Sequence, residues 1–235
     1  MRRAAAPLCA LAALAVSGCE TTQQLSARIG RSLGHQNAIA GTTATGALNR
    51  AVRVDATALI AGNPAAVAVL LTNESATAQT DVPVGLDVRD AKGASVYRNN
   101  TAGIEPSLQQ LALLPAHATL WWVDDQVLST GGAPSTVTVR VGTATAPARG
   151  AATIAVSGTS ASDAFPGPHV SATLTNASSV AAHGLAVYAV TIRSGHAVGA
   201  GRALVASLAP GARAPVTIPI TGVATGARIE LTVAS

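Results

Sequence analysis

One stretch of this chain occurs twice. Val67-Ala-Val-Leu-Leu-Thr-Asn73-Glu-Ser75 and Val170-Ser-Ala-Thr-Leu-Thr-Asn176-Ala-Ser178 carry the same Val, Leu, Thr, Asn and Ser at the same offsets. A later turn recurs too, as Leu114-Pro115-Ala116 in the first copy and Ala209-Pro210-Gly211 in the second. Repetition of this length implies two related domains, because the units of a solenoid are shorter. Asn and Pro stand 42 residues apart in the first copy and 34 in the second. The first copy therefore holds about eight additional residues, placed most simply at Asn100 to Gln110, where Gly103 and Pro106 punctuate a polar loop.

Within each copy the apolar residues recur with period two. Val52, Val54 and Ala56 alternate with Arg53, Asp55 and Thr57, the pattern of a half-buried strand. Gly62-Asn63-Pro64 reads as a turn, Ala65 to Leu71 as an apolar run, and Val82 to Val88 as a strand closed by the hairpin turn Asp90-Ala-Lys-Gly93. Ser95 to Tyr97 starts a return strand, Ala118 to Val123 follows the Leu-Pro-Ala turn, and Thr136 to Val141 alternates again. Short strands, frequent turns and almost no helical periodicity predict an all-β chain of two tandem immunoglobulin-like antiparallel β-sandwiches. Their ranges are 51–147 and 151–235, with the break where Thr145-Ala-Pro-Ala-Arg-Gly150 interrupts the alternation.

Hydrophobic residues make up 49% of the chain, yet there are only five aromatics: two Trp, two Tyr and one Phe. Such cores are built from small side chains, each contributing roughly 1–3 kcal/mol on burial. The formal charge is +4. Arg2 and Arg3 supply two of those charges, and the remaining Arg residues are scattered, without the basic stripe and interleaved aromatics of a nucleic-acid binder. Nucleic acid is accordingly set aside as a partner.

The N-terminus has the layout of an export signal: Arg2 and Arg3, then the apolar run Ala4 to Val16, then the small residues Ser17 and Gly18 before Cys19. Val16-Ser17-Gly18-Cys19 resembles the lipobox of bacterial lipoproteins. The resemblance implies removal of residues 1–18, acylation of the Cys19 thiol, and display on the extracytoplasmic face of the cell membrane. Cys9, inside the signal, is the other cysteine of the chain, so a processed protein has no pair to oxidise. No later run reaches the roughly 18–20 apolar residues that span a bilayer, which leaves the acyl groups as the expected membrane attachment. Residues 19–50 read as the lipidated N-terminus and tether. Leu25, Ile29 and Leu33, with Arg28 and Arg31 on other faces and Gly34 as a stop, suit either a short interfacial helix or a partly ordered leash. Fully extended, the tether spans on the order of 100 Å.

The repeat also carries a resemblance. The Asn-x-Ser turn, the alternating strand closed by Asp90-Ala-Lys-Gly93 and the Leu-Pro-Ala turn look like the small immunoglobulin-like modules of bacterial envelope proteins, including the FxLYD type. Val84-Gly-Leu-Asp-Val-Arg-Asp90 stands where that type has its aromatic residues.

Few residues offer chemistry. Trp121 and Trp122 are neighbours on a strand, so their rings point to opposite faces. One fills the core; the other is either an exposed recognition residue or a cover for the interdomain seam or the long loop. Asp124 and Asp125 follow, and are read as diverging carboxylates at a solvated turn or as part of the same binding surface. His35, His117, His169, His183 and His196 show no ligand spacing, and the sole Met is Met1, so soft copper coordination has no donors. No Gly-x-Ser-x-Gly elbow occurs. Gly199-Ala-Gly201 reads as a bulge between strands. Asn73-Glu-Ser75, Asn99-Asn-Thr101 and Asn176-Ala-Ser178 fit the glycosylation sequon but are read as turns bonded to their own backbone.

The expectation is a non-catalytic envelope lipoprotein, without metal or cofactor, that binds an envelope protein or cell-wall polymer. The alternative is a small-ligand or metal carrier using His117, Asp124 and Asp125 near the Trp pair.

Overall fold

The computed structural model describes residues 46–101, 103–144, 146–147 and 152–234. The expected signal at 1–18, the lipobox-like residues Val16, Ser17, Gly18 and Cys19, the helical pattern at 20–34, His35 and the junction at 148–151 lie outside the described residues.

The chain is all-β. The first repeat runs β1 (Val52–Ile60), β2 (Ala65–Asn73), β3 (Gln79–Arg89), β4 (Ser95–Arg98), a 3-10 turn (Pro106–Leu108), β5 (Gln110–Leu114), β6 (Thr119–Val127), β7 (Thr136–Val141) and β8 (Ala146–Pro147). The second runs β9 (Ile154–Ser162), β10 (His169–Asn176), β11 (Ala182–Arg193), β12 (His196–Leu208), β13 (Arg213–Pro219), β14 (Thr221–Gly222) and β15 (Arg228–Ala234). All pairings are antiparallel.

Each repeat is a two-sheet sandwich. In the first, the order β1-β2-β6 faces a sheet in which β3 pairs with β4, β5, β7 and β8. In the second, β13-β10-β9 faces β14-β12-β11-β15. The longer strands correspond in connectivity, the two-residue strands β8 and β14 have no counterparts, and one long strand differs. Where the second repeat has the continuous strand β12, pairing β11 from Arg193↔His196 to Ala182↔Leu208, the first has β4 and β5 separated by residues 99–109. That is the region of the extra residues, and it folds around the 3-10 turn capped by Glu105, whose carboxylate accepts from Ser107 N at 3.1 Å.

The repeated Asn is the same device twice. Asn73 Nδ2 donates to the carbonyls of Thr77, Leu114 and Pro115, and Asn176 Nδ2 to those of Val180 and Leu208, while each Oδ1 accepts from the Ser two residues on. Both side chains are fully buried, so each pins the β2–β3 or β10–β11 turn to the following Pro turn. Asn99 departs from the expected self-bonded turn. It is buried and ties β3 to the extra loop, accepting from Leu86 N and donating to the carbonyls of Val84 and Leu108, each at 2.7 Å.

Two further expectations change. The alternation in β1 is interrupted by a register shift between Val54 and Ala56. The Gly199-Ala-Gly201 pair lies inside β12, beside the register shift that skips Val198. A Cβ on Gly201 would stand 1.7 Å from the Pro219 carbonyl oxygen, so glycine lets β13 cross tightly over β12.

The two sandwiches share a core. Ala186, Tyr188, Val190, Ala200 and Ala234 of the second repeat belong to the same buried cluster as Ala66, Ala68, Trp121 and Val123 of the first. The outer face of β1-β2-β6 is therefore covered by β12-β11-β15, and both sheets at this seam are buried on two sides. Their sequences say why: β2 (AAVAVLLTN) and the centre of β11 (LAVYAV) are continuous apolar runs, as doubly covered strands require. The small Ala side chains let the backbones approach.

Candidate functional site

β6 distributes the candidate residues between two compartments. Strand alternation sends Trp121, Val123 and Asp125 toward the second repeat, and Trp122 and Asp124 into the first sandwich. Trp121 is 7% exposed, and its Nε1 donates to the Glu230 carboxylate on β15 while its backbone N donates to Thr232 Oγ1 at 3.2 Å. Trp122 is completely buried, and its Nε1 donates to the carbonyl of Ser107 at 2.9 Å. Burial of both rings leaves neither Trp as an exposed recognition residue. The rings cover the seam and the long loop, respectively.

Asp124 and Asp125 are strand residues, not a solvated turn. Asp124 accepts from Tyr97 Oη at 2.6 Å and from Gln126 N at 3.0 Å inside the first sandwich. Asp125 faces the seam and accepts from Arg202 N at 3.1 Å. The reason is the partners: a carboxylate enters a core when donors there replace its water.

Arg202 of β12 is the centre of this polar cluster. Its side chain is 5% exposed and Nη1 pairs with Glu105 and with Ser107 Oγ from the extra loop. Its Nε stands 3.5 Å from Asp125 Oδ1, an ion pair without hydrogen-bond geometry, and both atoms have no hydrogen-bond partner. Tyr188 Oη completes the cluster by donating to the Ser107 carbonyl at 3.1 Å. Ser107 O thus receives Trp122 from one repeat and Tyr188 from the other.

Burial governs the protonation of these groups. It pushes Asp124 up to about 6, against the opposing hydrogen bonds from Tyr97 and Gln126. It raises Asp125 as well, outweighing the attraction of Arg202. Tyr97 and Tyr188 are both raised, first by burial; for Tyr97 the neighbouring Asp124 adds to it, and for Tyr188 Arg202 opposes it. The phenols stay neutral and act as donors. The cluster can hold two domains together, and its Glu105 and Ser107 also line a groove at the seam.

The histidines lie elsewhere. His117, with φ of 55°, His183 and His196 are exposed and His169 is half-buried. Among the described residues no group of three His, Cys, Asp or Glu side chains is placed to hold a metal ion. The sequence reading passed over Tyr97, Glu105, Ser107, Tyr188 and Arg202. It also passed over Phe165, the one Phe of the chain, which is 97% exposed in the β9–β10 turn. The apolar runs in β2 and β11 were the available signal for the seam; nothing near Arg202 in sequence marks it.

No protein-family model matches the chain, and no curated protein matches it either.

Proposed function

We propose that the chain is a non-catalytic lipoprotein of the cell envelope, held at the extracytoplasmic face of the membrane by acylated Cys19 and acting there as a binding or scaffolding module. The observation that carries this reading is the use made of Trp121, Asp124, Asp125, Glu105 and Arg202. Trp121, Asp125, Glu105 and Arg202 are occupied in joining the two sandwiches, and Asp124 is held inside the first by Tyr97. A pair of domains stitched face to face is a stiff block, suited to presenting its loops and sheet edges to an envelope protein or cell-wall polymer. The FxLYD-like pattern of the repeats belongs to the same reading, and so does the tether of residues 19–50.

The anchor is tested by Cys19→Ala, expressed in a bacterial host and followed by fractionation. The variant moves from the membrane to the soluble envelope fraction; a variant that stays with the membrane ends the lipid-anchor reading. Crosslinking in intact cells, followed by identification of the captured molecule, tests the binding role.

A further inference from the structure

We propose that the outer edge of β12 beyond Arg202 is a docking site for an extended peptide of a partner protein, which adds to the sheet as a strand beside Leu204 and Ala206. The proposal rests on the binding-module reading and supplies its partner's chemistry.

The direction of the main chain comes first. The Arg202 N–H bonds to Asp125 Oδ2 and so points away from β11. Alternate residues of a strand direct their N–H and C=O groups the same way, which turns those of Leu204 and Ala206 outward as well. β14 covers this edge only at Gly199 and Ala200, and farther along the Leu208 carbonyl is taken by Asn176. Among the described residues no strand pairs with the outer edge of Ala203–Ser207.

Several other edges of the molecule are blunted. β1 and β9 are interrupted by register shifts, β13 carries Pro215 and Pro219, and β15 carries Arg228 and Glu230. Ala203-Leu-Val-Ala-Ser207 has no charge, no proline and no bulge. Proteins seldom leave such an edge unguarded without a use for it.

Beside the edge runs a groove of about 360 Å³, lined by Leu204 and Ala206 of β12, Ala186 of β11, and Glu105, Ser107, Gln110 and Ala112 of the first repeat. It is continuous with the seam. Leu204 extends the row Ala200, Arg202 that the first sandwich covers, and its side chain is 52% exposed where that cover ends. The unpaired amides call for another backbone, and the small lining residues call for apolar side chains of modest size at alternate positions. Gln110 and Ala112 of the first repeat line the same groove.

A displayed library of random short peptides, selected against the full-length protein, provides the probe. Enriched peptides should alternate apolar residues and lack proline, and their binding should slow hydrogen exchange at the Leu204 and Ala206 amides. Ala206→Pro removes an edge donor that β11 does not use, and should weaken binding about tenfold or more with an unchanged melting temperature. Should that variant misfold, Leu204→Lys, at an exposed position, fills the groove mouth with the same expected loss. Absence of enrichment, equal binding by both variants, or concentration-dependent dimers abolished by Leu204→Lys would overturn the proposal. If the Leu204→Lys variant still captures its partner by crosslinking in cells, the binding-module reading stands and the edge proposal alone falls.

Discussion

Leu70 and Thr173 occupy the same place in the two repeats and meet opposite surroundings. β2 is AAVAVLLTN, covered on both faces; β10 is HVSATLTN, buried at every second residue and half-exposed between. The inward residues match, with Val67, Val69 and Leu71 answering to Val170, Ala172 and Leu174. The outward ones do not: Ala66, Ala68 and Leu70 replace His169, Ser171 and Thr173. One fold thus tolerates either chemistry on its second face, and what decides is whether another sheet lies there. The repeat encodes the sandwich, and the departures from the repeat encode the seam.

The strongest test of that contrast places a charge on the second face of each strand. Ala68→Asp buries an unpaired carboxylate at a position with no exposure, and should cost roughly 5 kcal/mol in denaturant unfolding. Ser171→Asp, its counterpart on β10, should stay within about 0.5 kcal/mol. Similar values for the two would mean that β2 is not covered by the second repeat.

Arg202→Met should have the next largest effect, roughly 3–4 kcal/mol, because it strands Asp125 and Glu105 without their cation. Adding Asp125→Asn should recover part of the loss if the two act as a pair across the seam; strict additivity would separate them.

A smaller effect belongs to pH. Folding raises Asp124 from the usual carboxylate value to about 6, so the native state holds this proton more tightly than the unfolded chain does. Its stabilisation is present at about pH 4 and is lost as pH rises through 6, a swing of up to about 3 kcal/mol. Asp125, also raised, adds in the same direction. Asp55, Asp87 and Asp163 are lowered, so their contributions disappear only in more acidic solution. Urea midpoints should therefore rise from pH 7 to pH 5, with a shallower rise in Asp124→Asn. An identical slope in the variant would remove Asp124 from the account.

The strands and the two-sandwich architecture were legible because period-two alternation and turn residues are local signals. Asn73 and Asn176 were legible as turns because their Oδ1 acceptors sit two residues away. The seam was written less openly. The unbroken run Ala65 to Leu71 already departs from one-faced alternation, but names no partner. Arg202 and Asp125 are separated by 77 residues, and Glu105 lies in a loop whose polar composition suggests exposure. Long-range pairing turned apparently solvated charges into interior ones, and short-range pattern has no access to that.

The position of β15 has a further consequence during synthesis. The chain is made from its N-terminus, so the first sandwich can close before the second exists. Its outer sheet, with Ala66, Ala68 and Trp121, then waits uncovered. Glu230 and Thr232, which bond Trp121, lie in the final strand of the described chain. A ribosome that releases the protein before this strand is made would leave an adhesive face on a domain whose own sequence is finished. The last strand completes two folding events, one of them more than a hundred residues behind it.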